Sequence, residues 1–135
     1  MPSLIPAVLR LATMATMAEA RLSAAERRML DRFVAALRER LGDELISVWL
    51  FGSRARGEMT DPLSDVDVLV VTRAGRADER VAWDELSRLA EEEGLSPVLL
   101  SLIVWDPEWL AHRREIRSFF VQEVDRDKIV LHGSP

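Results

Sequence analysis

The chain holds no cysteine, which excludes a disulfide framework and any cysteine-ligated zinc site. That usage fits a reducing compartment, and the chain reads as cytoplasmic. Histidine is nearly as scarce, with only His112 and His132. Neither has a second histidine or an acidic partner at ligand spacing, so both read as surface or structural groups. There is no GxxxxGK[ST] loop and no dinucleotide fingerprint, and no Ser-His-Asp set can be assembled. No apolar run reaches the roughly 18 residues of a membrane span. The net charge of −5 works against broad binding to nucleic acid or anionic lipid, leaving nucleic acid only the place of an acceptor.

What is present is enough for one domain. The chain has 135 residues, of which 48% are hydrophobic and 30% charged, sufficient to fill a core at this size. Residues 1–22 read as a helical extension of a domain at 23–135. The stretch "MPSLIPAVLRLATMATMAEA" lacks the basic start of a secretory signal, and Arg10 interrupts its apolar run. It reads as an amphipathic helix with Pro6 in its first turn. Packing on the domain and service as a dimer or partner helix are both open to it.

Ser23-Ala24-Ala25-Glu26 is a capping-box pattern. Behind it Leu30, Phe33, Val34, Leu37 and Leu41 recur at helical spacing, and Gly42 ends the helix. "ELISVWLF" reads as a strand covered on both faces. "SRARGE" reads as a short helix, "MTDPLS" as a loop and "DVDVLVV" as a second strand. A helix runs from Ala77 to about Glu93, with Ala82, Trp83, Leu86, Leu89 and Ala90 on its inner face. "SPVLLSLIV" reads as a third strand. Asp106 caps a long helix with Pro107 at its first position, striped inside by Ile116, Phe120 and Val124. "KIVLHG" reads as a short edge strand. The fold class is α/β (α+β), a small sheet flanked by helices.

The chemistry concentrates between residues 50 and 71. Side chains alternate along a strand, so Asp65 and Asp67 share a face while Val66, Val68 and Val70 enter the core. Two carboxylates on one face repel each other and call for a cation. Mg²⁺ suits them, because it takes oxygen ligands and shares substrate phosphates. Gly52 lets the chain turn sharply after the first strand, and Ser53 then opens the short helix, where backbone N–H groups favour phosphate. Arg54 and Arg56 bring guanidinium groups, but residues two apart on a helix cannot share a face. Arg113, Arg114 and Arg117 form a basic stripe on the last long helix. Trp49, Trp83, Trp105 and Trp109 read as core or core-edge side chains.

The compound arrangement Gly52-Ser53, Arg54-Ala55-Arg56-Gly57, a polar loop, then Ser64-Asp65-Val66-Asp67-Val68 resembles the signature of the minimal nucleotidyltransferases of the polymerase-β-like superfamily. The resemblance extends from about Ser23 to Gly133. It implies a small mixed sheet flanked by helices. It also implies a nucleotide triphosphate, ATP foremost, on Gly52 and Ser53 with help from Arg54 and Arg56. Asp65 and Asp67 become catalytic ligands of Mg²⁺ in a two-metal arrangement. The implied reaction is in-line attack of a protein or small-molecule hydroxyl on the α-phosphorus, with release of pyrophosphate. A HEPN-type toxin is the partner often met by small members; a homo-oligomer is the other option.

Two departures stand out. The spacing from Ser53 to Asp65 is slightly longer than usual, which a loop insertion at Asp61-Pro62 absorbs. The family's third carboxylate, usually on the next core strand, is absent from "SPVLLSLIV". Ser96 or Ser101 stands in its place, and Asp106 lies just beyond. A catalytically impaired nucleotide-binding module is therefore the alternative reading.

Overall fold

The computed structural model describes residues 20–58 and 65–135. The expected helix before Ala20 and the Asp61-Pro62 loop lie outside the described residues. Helix α1, Ala24–Leu41, opens on the expected capping box. The Glu26 N–H donates to Ser23 Oγ at 3.1 Å, and the Ser23 N–H donates to Glu26 Oε1 at 2.7 Å. Its inner stripe is Met29, Leu30, Phe33 and Leu37, all buried. Gly42 closes it, donating its N–H to the Arg38 carbonyl.

Four strands follow: β1 (Leu45–Phe51), β2 (Val66–Thr72), β3 (Leu100–Trp105) and β4 (Ile129–Gly133). Their spatial order is β3-β2-β1-β4. β1 lies antiparallel to both β2 and β4, and β2 runs parallel to β3, so the sheet is mixed. Short helix α2, Gly52–Arg56, leaves β1 directly. Helix α3, Glu79–Glu92, supplies the crossover from β2 to β3.

Each sheet face has its own core. Val48, Leu50, Val66, Val68 and Val70 pack with Phe33 and Leu37 of α1 and Leu86 of α3. Trp49, Phe51, Leu69 and Val71 pack on the other face against Leu110, Val121 and Val124. Both faces of β1 and β2 are thus covered, which is why they read as near-continuous apolar runs. Charges stitch α1 to α3 outside the core: Arg28 pairs with Glu93 at 2.9 Å and Arg40 with Glu85 at 2.9 Å.

Three elements differ from the sequence reading. β3 begins at Leu100, because Ser96 and Pro97 open a 3-10 turn at Pro97–Leu99. α3 begins at Glu79, after a 3-10 turn at Gly75–Asp78. The long last helix is two helices, α4 (Pro107–Glu115) and α5 (Phe119–Asp127). Arg117 takes φ 52° between them, and the Ser118 N–H returns to the Arg113 carbonyl at 3.0 Å. The break turns the expected inner stripe apart: Val124 is buried, whereas Ile116 and Phe120 reach the surface. Trp49 is core and Trp105 core-edge, but Trp83 and Trp109 are exposed.

Candidate active site

The site forms where β1 ends and β2 begins. Phe51, the last residue of β1, sits opposite Asp67 in the antiparallel register. The chain then turns into α2 through Gly52 at φ 77°. A Cβ on Gly52 would collide with Asp67 Oδ2. Glycine is required here twice, by its left-handed conformation and by the carboxylate packed on its Cα. The glycine-serine turn and the aspartate strand are therefore one piece of structure.

Ser53 follows in the first turn of α2, half-buried, where helices leave N–H donors without an intrahelical acceptor. The two arginines diverge, as their spacing requires. Arg54 turns back to α1, meeting Glu26 Oε1 at 2.8 Å and donating to the Arg21 carbonyl at 2.9 Å. Both partners of that ion pair are about seven-eighths buried, with 12% and 14% of their side-chain surface exposed. Glu26 thereby serves the capping box and the anchoring of α2 together. Arg56 stays at the rim, 2.7 Å from Glu58 and 3.6 Å from Asp127, and both carboxylates raise its pKa.

Asp65 is exposed and immediately precedes β2; Asp67 is half-buried within it. Burial, followed by the charge of Asp65, pushes the Asp67 carboxyl up to about 6. A hydrogen bond from Ser101 and the charges of Arg56 and Arg54 pull the other way without restoring the ordinary value. This chemistry fits a divalent cation. A desolvated carboxylate beside a second one holds negative charge that the protein alone leaves under-compensated. Among the described residues no cluster of three or more acidic, histidine or cysteine side chains forms a metal cage. Two carboxylates match a small cation that keeps several waters and substrate oxygens as its remaining ligands.

β3 identifies the residue beside Asp67. Its parallel register with β2 sets Ser101 opposite Asp67, where its hydroxyl works against the rise in the carboxyl's pKa. Ser96 is elsewhere, capping the turn before β3 through the Val98 N–H. Asp106 lies past the far end of the strand, five residues or about 16 Å from Ser101. There it accepts the Trp109 N–H at 2.7 Å as the cap of α4.

The remaining candidates disperse. His112 stacks at a tilt on Trp109, with ring centres 6.1 Å apart. His132 lies on β4 opposite Val48; burial and then Arg38 lower its pKa. The basic stripe is not a stripe. Arg114 makes two bonds to Asp125, at 3.0 and 2.8 Å, and Arg113 lies over Trp109 at 4.5 Å. Arg117 occupies the break between helices.

The nucleotidyltransferase domain family matches this chain over residues 30–116. The chain belongs to that family. A 45-residue stretch of the chain is 47% identical to the candidate protein adenylyltransferase MJ1305 of Methanocaldococcus jannaschii. That stretch is 33% of this chain and spans only 30% of the archaeal protein's length. Among solved structures, a chain of the toxin–antitoxin complex MntA–HpeT, in a mutant form, superposes with a TM-score of 0.50 at 23% identity. The match covers 76% of this chain and 71% of that one, and it establishes a shared fold.

Proposed function

We propose that this chain transfers a nucleoside monophosphate from a nucleoside triphosphate, ATP foremost, to a hydroxyl of a protein or small molecule. The observation carrying the reading is the Asp67 carboxylate packed on the Cα of Gly52. It joins a carboxylate pair to an anion-favouring turn within one rigid contact. Residues 23–135 form the transferase unit in this reading, and residues 1–22 its extension.

Gly52 and Ser53 hold the triphosphate through backbone and hydroxyl donors, and Arg56 at the rim adds positive charge. Arg54 contributes by fixing α2 to α1. Asp65 and Asp67 would hold Mg²⁺, which would neutralise triphosphate charge and make the acceptor hydroxyl more acidic. The acceptor oxygen attacks the α-phosphorus in line as the bond to the β-phosphate oxygen breaks, and pyrophosphate leaves. Most of the acceleration comes from positioning and electrostatics. The name of the archaeal relative favours a protein acceptor, and the MntA–HpeT likeness favours a protein partner. The partner in this reading is a HEPN-type toxin that the chain restrains as an antitoxin, with both acting in the cytoplasm.

One observation favours a second reading, a catalytically impaired nucleotide-binding module. Ser101, and not an acid, adjoins Asp67 on β3, so no carboxylate of that strand can take the acceptor's proton. Pyrophosphate release separates the two. The first reading expects Mg²⁺-dependent release from ATP in the presence of a host-cell extract, abolished by D65N or D67N. Mg·ATP binding without turnover in any such extract supports the second.

A further inference from the structure

The sheet has two edges, and they are guarded unequally. β4 is short, its pairing with β1 shifts between Val48 and Trp49, and it carries His132 and Gly133. Such irregularities discourage further strand pairing. β3 has none of them. Its sequence LSLIVW contains no charge, no proline and no glycine, and its register with β2 is continuous. The Leu100 N–H closes the preceding turn onto the Pro97 carbonyl. Past that residue, no backbone group of β3 bonds beyond the sheet among the described residues. Just before the strand, Val98 is 83% exposed.

A cleft of about 330 Å³ runs along this open edge, lined by β3 from Leu102 into Asp106. Trp109 flanks it together with Arg76 and Glu79. These two are opposite charges, and neither makes an ion pair among the described residues. A bare apolar edge bordered by one unused cation and one unused anion is self-complementary.

We propose that β3 pairs antiparallel with β3 of a second copy, extending the sheet across a two-fold axis near Val104, the centre of the cleft. Backbone groups then satisfy each other along the edge, as in β-augmentation. The axis sets Arg76 of each protomer beside Glu79 of its partner, an isologous contact made twice. Like charges brought into the same place oppose it.

Sedimentation velocity across a concentration series tests this on the full chain. The wild type sediments as a dimer. R76E and E79R each weaken the dimer by about tenfold or more, because each sets two like-charged pairs across the axis. The double variant R76E/E79R restores association, since the pairs are rebuilt in reverse. Both positions are exposed, so folding is not at stake. Slowed hydrogen exchange at residues 102–105 in the wild-type dimer, lost in either single variant, locates the contact. A wild type monomeric throughout, a dimer indifferent to both single reversals, or reversals that do not compensate each overturn the proposal. So does a protected β3 in a monomer, which would mean that the chain covers its own edge.

Discussion

Asp67 and Gly52 share one volume: the Oδ2 atom of the aspartate stands where any side chain on residue 52 would begin. Gly52→Ala should therefore fail on two counts. The φ of 77° costs an L-residue about 1–2 kcal/mol, and the new methyl displaces the Asp67 carboxylate. We expect a melting temperature lower by roughly 4 °C or more and loss of Mg·ATP binding. A fluorescence melt and a calorimetric titration check the two effects separately.

Asp67 predicts a pH dependence opposite to that of a salt-bridged carboxylate. Its pKa stands at about 6 in the folded chain against an ordinary value of 3.8. The folded state thus binds the proton more tightly than the unfolded one. The stability this confers is full below about pH 4 and is lost as pH rises through about 6. Allowing for partial exposure, the loss is roughly 1–2 kcal/mol. Urea melts of wild type and D67N at about pH 4.5 and 7.5, without divalent cations, isolate the contribution as the difference between the two proteins. Mg²⁺ should raise the wild-type melting temperature more at about pH 7.5 than at about pH 5, because protons compete for its ligands.

Ser101 offers a gain of function. Ser101→Asp sets a third carboxylate beside Asp67, at the position the parallel register assigns. Without metal, a further like charge should destabilise the fold by about 1 kcal/mol or more. With Mg²⁺ the stability should recover, and turnover should rise by about tenfold to a hundredfold as the acceptor gains a base. Initial rates of pyrophosphate release for wild type, S101D and S101A test it.

The two arginines of α2 should separate by experiment. Arg54→Ala removes the partner of a largely buried Glu26 and the tie to the Arg21 carbonyl. We expect a loss of about 2–3 kcal/mol. Arg56→Ala, at an exposed pair, should cost no more than about 1 kcal/mol yet weaken nucleotide binding. Chemical denaturation and nucleotide titration of both variants give the contrast.

These particulars also mark how far the residues can be read without coordinates. Local signals carry through: the Ser23–Glu26 box and the Asp106-Pro107 start both rest on neighbours a few residues apart. Arg117 shows where such reading stops. It takes a left-handed conformation with no glycine or proline to announce it, so the pattern predicts one helix where there are two. The Ser96-Pro97 pair, by contrast, is a turn signal that suffices to shorten β3 in advance. At the site, Gly52 and the aspartates are legible as a motif. The commitment of Arg54 to Glu26 is not, because it depends on how α1 lies against α2. Spacing leaves both Ser96 and Ser101 as neighbours of Asp67; only strand register distinguishes them.

The central claim is that Asp65 and Asp67 join a divalent cation to a triphosphate held at Gly52-Ser53. Calorimetric titration of ATP into wild type and the D65N/D67N variant, with and without Mg²⁺, tests it most directly. We predict saturable binding by the wild type only when Mg²⁺ is present, weakened at least about a hundredfold in the variant while its circular dichroism is unchanged. Equal affinity in the two proteins, or binding indifferent to Mg²⁺, would contradict it.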